Sequence, residues 1–420
     1  MAISGSGKER RTEKPIAVVG TGLAGLSTAL GLAALGVATM LIGPRTGTAQ
    51  ASRDTRSTAL FGPSVDFVRR LGIMEALEPP PVPLRGLRLV DATGGLFRAP
   101  EVLFQASEVG ADAFGMNFEN GPLLMALADE AAGMPVIEWI DATALSIEAG
   151  ESVVRIDMSN GESLSASLVI GADGERSLCR KGAGIRERSW VYPQVAIAAR
   201  FSHRRPHDGI STELHRRAGP LTTVPLAGHA SSLVWVERPE RAEVLLALDD
   251  RTFAQELQSA LASALGDVLA VGPRASFPLS GVTAEVLGAR RVALVGEAAH
   301  RLPPIGAQGL NLGLRDAAWL ADLVADAVAD GADPGAPHVL RAYDAARRTD
   351  VLSRTAVVDT LNRSLIADWL PADLARSAGL AALKTIGPLR RLFMREGMGP
   401  GGRLPRLMQP VERSVSVSES

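Results

Sequence analysis

Hydrophobic residues change their spacing along this chain in a way that marks its elements. Ile16-Ala17-Val18-Val19 is an unbroken apolar run that stops at Gly20-Thr21-Gly22. Leu23, Leu26, Leu30 and Ala33 then recur at helical spacing, and after Gly36 the run Val37 to Ile42 reads as a strand again. Residues 15–44 carry no charge and follow a basic start at Lys8, Arg10 and Arg11, a profile that imitates a signal peptide or a spanning helix. The glycine break argues instead for a buried βαβ unit, apolar because a parallel sheet is covered on both faces.

Further on, Leu168-Val169-Ile170 predicts a strand ending at Gly171-Ala172-Asp173-Gly174. Val195 to Phe201, Leu221 to Leu226 and Ser231 to Val236 are short strand-like runs divided by Pro and Gly turns, which suggests an inserted antiparallel sheet. Residues 290–330 return to strand, Gly-rich loop and helix. The expected division is a disordered tail over 1–14, a nucleotide-binding domain over 15–184 and 286–337, a sheet domain over 185–285, a helical region over 338–396 and a loose tail over 397–420.

Composition narrows the chemistry. A net charge of -2 argues against a nucleic-acid binder working by phosphate neutralisation. One cysteine, Cys179, excludes a disulfide framework, a Cys-based zinc site and a dithiol redox pair. None of the six histidines forms H-E-x-x-H, and Pro206 breaks any helix that would pair His203 with His207, so no metal is expected.

Gly20-Thr21-Gly22-Leu23-Ala24-Gly25 is a G-x-G-x-x-G after a strand and opening a helix. Gly20 permits the tight turn, Gly22 lets a pyrophosphate approach the backbone, and Gly25 lets helix and strand pack closely. The helix start offers free N–H groups and a positive dipole end to phosphates. The acidic residue that usually ends the second strand and holds the ribose is Gly43 here, so the grip passes to Arg45 or to backbone. No second such fingerprint exists for a nicotinamide cofactor: Gly397–Gly402 follows no strand.

Three segments in order carry a resemblance. They are the fingerprint, then Gly171-Ala172-Asp173-Gly174-Glu175-Arg176-Ser177, then Gly296-Glu297-Ala298-Ala299-His300 with Pro303-Pro304-Ile305-Gly306-Ala307-Gln308-Gly309-Leu310-Asn311. Together they resemble the aromatic-hydroxylase group of flavoprotein monooxygenases, most of all the ubiquinone-biosynthesis polyprenylphenol hydroxylases. The likeness extends to Asp54–Leu60, Tyr192-Pro193-Gln194, Val234-Trp235 and Asn362-Arg363-Ser364-Leu365. It implies an α/β fold: a Rossmann-like FAD-binding domain, an inserted antiparallel sheet that contacts substrate, and C-terminal helices.

The resemblance implies FAD held by the fingerprint, by Arg56, by Asp173 and Gly174, by Gly296 and Glu297 (where relatives carry Asp), and by Pro304, Gly306, Ala307, Gly309, Leu310 and Asn311. A helix starting near Leu310-Asn311 would aim its positive end at the flavin pyrimidine ring. Pro303, Pro304, Val224 and Trp235 would line the substrate site. The implied reaction has NAD(P)H docking transiently to reduce FAD, and O2 captured as a C4a-hydroperoxide that hydroxylates a polyprenylated phenol. Another small aromatic substrate, a prenyl-chain reductase and a catalytically silent scaffold of a biosynthetic complex are the alternatives. The only tyrosines are Tyr192 and Tyr343, so no tyrosine relay and no catalytic base are evident. Before Leu123-Leu124 stands Gly121-Pro122, where many relatives carry a polar or basic side chain.

Residues 374–395 contain Arg376, Lys384, Arg390, Arg391 and Arg395 with no acidic residue, beside Leu374, Leu380, Leu383, Ile386, Leu389, Leu392 and Phe393. A basic amphipathic segment suits an anionic membrane surface, and a core-packing helix with a solvated basic face fits the same pattern. The expected location is cytoplasmic, with peripheral attachment to the inner face of the cell membrane and membership of a ubiquinone-biosynthesis complex as further expectations.

Overall fold

A computed structural model describes residues 15–45, 54–94, 100–262, 264–366, 370–399 and 402–410. The tail expected over 1–14, and residues 411–420, lie outside the described residues. The first sheet runs in the order 288–289, 292–294, 168–171, 16–19, 39–42, 137–140. Its strands pair in parallel except at the short edge strand Gly288–Ala289. Strand Ile16–Val19 sits inside this sheet with both faces covered, which explains its lack of polar positions.

Register brings the motifs together. Val19 is opposite Gly171, and Gly171 is opposite Leu294. Parallel neighbours end at the same edge, so the loops after residues 19, 171 and 294 leave the sheet side by side.

The second sheet runs in the order 300–301, 275–284, 187–203, 230–237, 219–226, 210–216, 86–91, 102–105, with 268–271 beside 187–203. It therefore draws on residues 86–105 as well as on the 185–285 segment, and one pair, 86–91 with 210–216, is parallel. One face carries the helices Pro239–Ala247 and Asp250–Ala260, which bury Leu233, Trp235, Phe253 and Leu257 together. The other face looks toward the nucleotide domain, where Arg200 pairs with Glu119 and its Nε donates to Thr55 O at 3.3 Å.

Helix Pro337–Ile366 ties the halves: Asn362 Nδ2 donates to Gln194 Oε1 at 2.8 Å. The basic segment expected over 374–395 is two helices, Leu370–Thr385 and Gly387–Met398, because Gly387-Pro388 starts a new one. Leu380 and Met394 bury against Leu89, Val102 and Phe104. The side chains of Leu374 and Arg376 lie outside the described residues. Among the described residues no helix is long and apolar enough to cross a membrane.

Candidate active site

The glycines of the first loop do different work. Gly20 adopts φ +114°, and a Cβ there would stand 2.3 Å from Ala172 O. At Gly25 a Cβ would stand 1.9 Å from Gly20 O, so only glycine lets helix Leu23–Ala34 approach the strand. At Gly22 a Cβ would meet nothing within 4 Å. That opening lies at the helix start, whose first turn with Leu23 and Ala24 carries no acidic residue. It fits a pyrophosphate, which needs free backbone N–H groups and the positive dipole end.

The missing acid at Gly43 has a steric reason. A Cβ on Gly43 would stand 2.6 Å from Thr21 Cγ2, while Thr21 Oγ1 donates to Pro44 O at 2.8 Å. Beside it, Arg45 lies 5.1 Å over the Trp139 ring and its N–H donates to Asp141 Oδ1 at 3.1 Å. Asp141 thus brings a carboxylate to this edge from the neighbouring strand, a residue the sequence reading missed.

In the second loop Gly174 takes φ +77° with open space around it. The Asp173 carboxylate, however, accepts Ser177 Oγ–H at 2.5 Å and Cys179 N–H at 3.0 Å. Its side chain holds its own loop in place. Arg180, buried, donates to Ala298 O at 2.7 Å and stitches this loop to the third.

At the third loop Gly296 takes φ +59°, and a Cβ there would press Ala24 Cβ at 3.0 Å. Glu297 is exposed and has no hydrogen-bond partner among the described residues. Arg56 sits in its field: Asp54, gripping Arg56 at 2.8 and 2.7 Å, raises the guanidinium pKa most, and Glu297 adds a smaller share. Arg56 also lies 5.0 Å over the Phe277 ring.

Pro303 is buried and Pro304 exposed, and the following turn uses Gly306 at φ +63° and Ala307 at φ +52°. Helix Gln308–Ala329 then starts two residues before the expected point, with no acidic residue in its first turn and with open space at Gly306 and Gly309. Leu310 is half-buried. Asn311 is fully buried: Nδ2 donates to Ala59 O at 2.8 Å and to Ala307 O at 2.7 Å, and Oδ1 accepts Phe61 N–H at 3.0 Å. Its side chain pins the loop to strand Ser57–Phe61.

Beneath this turn lies a buried charge network. Asp316 accepts His300 Nε2 at 2.5 Å, Gly296 N–H at 3.1 Å and Arg347 Nε at 2.8 Å. Burial would raise the Asp316 pKa, but His300 and Arg347 hold it below the usual carboxylate range. Arg347 also donates to Asp350 at 2.8 Å.

On the substrate sheet, Trp235 corrects the expectation. It registers with Leu221 and packs on Phe253 at 5.9 Å, so it faces the helices, away from the flavin loops. Val224 registers with Ser232, one step out of phase, and so lies on the face toward the nucleotide domain. Neither tyrosine is available as a relay: Tyr343 donates to Leu294 O at 2.7 Å and Tyr192 to Asp359 Oδ1 at 2.5 Å.

The profile of the FAD binding domain family matches residues 13–356. The chain belongs to that family. It is 37% identical over 402 residues to ubiquinone hydroxylase UbiL of Rhodospirillum rubrum, covering 94% of this chain and 92% of that one. With the 3-demethoxyubiquinol 3-hydroxylase of Escherichia coli it shares 29% identity, covering 91% and 98%. Among solved structures it is similar in fold to p-nitrophenol 4-monooxygenase PnpA of Pseudomonas putida, with TM-score 0.74 and 21% identity over 93% of this chain and 99% of that chain. This family member is an FAD-dependent monooxygenase. Its residues fit the cofactor: open backbone at Gly22, Gly174, Gly306 and Gly309, an unpartnered carboxylate at Glu297, and two helix starts without acidic residues.

The sequence reading missed Asp141, Asp316, Arg347 and the buried pair Glu213 and His215. The last pair had a signal: Ser211, Glu213 and His215 alternate with Thr212 and Leu214, putting three polar side chains on one face of an interior strand.

Proposed function

We propose that this monooxygenase hydroxylates the aromatic ring of a polyprenylated phenol in ubiquinone biosynthesis, consuming NAD(P)H and O2. The observation that carries the substrate class is the near end-to-end likeness to a ubiquinone hydroxylase. The sheet agrees with it. Arg200, a strand cation on the face toward the nucleotide domain that could meet a carboxylated substrate, is paired with Glu119.

FAD, when bound, supplies electron transfer and oxygen activation. The protein's part is holding and orienting. Gly22 and Gly174 would offer backbone to the pyrophosphate, Arg45 would reach the adenosine end, and Glu297 would accept ribityl hydroxyls. The start of helix Gln308–Ala329 would favour negative charge on the pyrimidine ring. Pro303, Pro304 and Val224 would wall the ring of the substrate.

The C-terminal helices would rest on an anionic membrane surface. Ile386, Leu389, Leu392 and Phe393 are exposed on that segment, with Lys384, Arg391 and Arg395 exposed beside them. Apolar side chains ringed by cations suit a lipid headgroup layer. Leu389→Glu with Leu392→Glu should abolish co-sedimentation with anionic liposomes, and unchanged binding refutes the attachment.

The function itself is tested by mass spectrometry. Purified flavin-loaded protein with NAD(P)H, O2 and a polyprenylphenol should yield the phenol plus one oxygen atom. Hydrogen peroxide alone, or faster turnover of a soluble aromatic acid, overturns the reading.

A further inference from the structure

With both tyrosines committed elsewhere, the base for a phenol must come from another group. The imidazoles narrow the search. His203 uses both ring nitrogens, at 2.7 Å from Arg205 O and 2.9 Å from Ser231 Oγ. His207 does the same, with Leu226 O at 2.8 Å and Gly209 N–H at 3.1 Å. His300 gives Nε2 to Asp316 under the flavin turn and leaves Nδ1 buried without a partner, but its carboxylate is already shared with Arg347.

His215 shows the same arrangement as His300, but on the interior strand Ile210–Arg216. Its Nε2 lies 2.8 Å from Glu213 Oε1, and its Nδ1 is buried without a partner. The two side chains expose only 5% and 8% of their surface. A carboxylate against an imidazole fixes the tautomer, since the carboxylate only accepts: Nε2 carries the proton and donates it. Nδ1 is then a bare lone pair that a bound molecule or a water would satisfy.

Register places the pair on the substrate side. Glu213 is opposite Thr222, and Thr222 is opposite Val234. Val224 is two residues further along the same face, a diagonal neighbour of Glu213 at about 7–8 Å. Leu214, between the pair, is opposite Leu221 and joins Trp235 on the far face. His215 stands behind Glu213, opposite Pro220 on one side and Asp91 on the other, and Asp91 is the other charged group registered with the pair on this face.

We propose that Glu213 is the base that takes the ring-hydroxyl proton of the substrate, with His215 as its positioning residue. This rests on the phenol reading above. The O–H bond of the phenol breaks, the proton passes to Glu213 Oε2, and the electron pair stays on oxygen as phenolate. His215 Nε2–H keeps its hydrogen bond to Oε1 throughout. The phenolate raises electron density at the ring carbons ortho and para to oxygen, where an electrophilic hydroxyl is accepted.

The test is Glu213→Gln in the full-length, flavin-loaded chain with a short-chain 2-prenylphenol. Hydroxylated product at neutral pH should fall about 100-fold or more, the usual weight of general-base catalysis. FAD affinity should hold, and NAD(P)H oxidation should continue with hydrogen peroxide replacing product. Raising pH toward the phenol's own ionisation near pH 10 should restore product in the variant, because solvent then removes the proton. Wild-type product yield and pH profile in Glu213→Gln overturn the proposal.

Two checks guard against a folding defect. The double change Glu213→Leu with His215→Phe strands no polar partner, and full product from it refutes the role. A more acidic phenol, 3-prenyl-4-hydroxybenzaldehyde, needs less help in losing its proton, so Glu213→Gln should cost it less product than it costs 2-prenylphenol, and an equal loss refutes the role as well. A wild-type chain that hydroxylates no phenol defeats the phenol reading itself. A wild-type chain that does so while Glu213→Gln keeps pace defeats only the assignment of the base.

Discussion

Two glycines three residues apart should respond to the same substitution in opposite ways. Gly25→Ala puts a methyl 1.9 Å from Gly20 O, a backbone atom that no rotamer change can move. Helix Leu23–Ala34 must shift, and overpacking of this kind costs about 1–3 kcal/mol or more. Gly22→Ala puts its methyl in open space at φ -80°, an ordinary conformation for alanine. Alanine caps a helix less well than glycine but loses less chain entropy, two effects of about 0.5–1 kcal/mol with opposite sign. The apo protein should therefore melt as the wild type does.

The methyl of Gly22→Ala should instead collide with the pyrophosphate. Two hydrogen bonds to a charged group, at about 1.5–3 kcal/mol each, make a loss of at least about 3 kcal/mol. That is roughly a 100-fold rise in the Kd for FAD. Thermal melting of apo protein and flavin-fluorescence titration separate the two effects. If Gly22→Ala binds FAD normally, or melts as low as Gly25→Ala, the division of labour between these glycines is wrong.

The remaining predictions concern buried groups. Asp316→Asn strands Arg347 and His300 and should cost about 3–5 kcal/mol in a urea titration, with a stability change below 1 kcal/mol refuting the network's importance. Tyr192 is held up to about 12 by burial and by its hydrogen bond to Asp359. A raised pKa stabilises the protonated form, so this contribution is full below pH 10 and disappears as pH climbs to about 12. Tyr192→Phe should flatten stability across that window, and an unchanged slope there would show the tyrosine irrelevant. Trp235→Ala should lower stability by about 3–5 kcal/mol while leaving the ratio of product to peroxide alone. A changed ratio would return Trp235 to the substrate site.

Some of this site was legible in sequence for a physical reason. Gly20, Gly22 and Gly25 act within one turn, so their spacing alone carries their roles. The run 303–307 was legible as a loop because prolines and glycines mark the backbone locally. Trp235 was misplaced because an interior strand buries both faces, and alternation then gives no sign of which side meets the substrate. The part of Asp173 and Asn311 in holding their loops was not legible, because a polar side chain at a loop looks the same whether it serves the loop or a guest. Asp316 and Arg347 touch across 31 positions, and no local pattern announces such a partner.

The clamp made by Asn311 sets an order of assembly. It joins residues separated by 250 and 252 positions, and strand 292–294 completes the sheet edge that strand 16–19 began. A ribosome must therefore deliver roughly three quarters of the polypeptide before any vitamin-derived pigment has a place to lodge. Until then the nascent apolar strands wait unpaired, and early riboflavin supply cannot rescue a chain stalled upstream of the clamp.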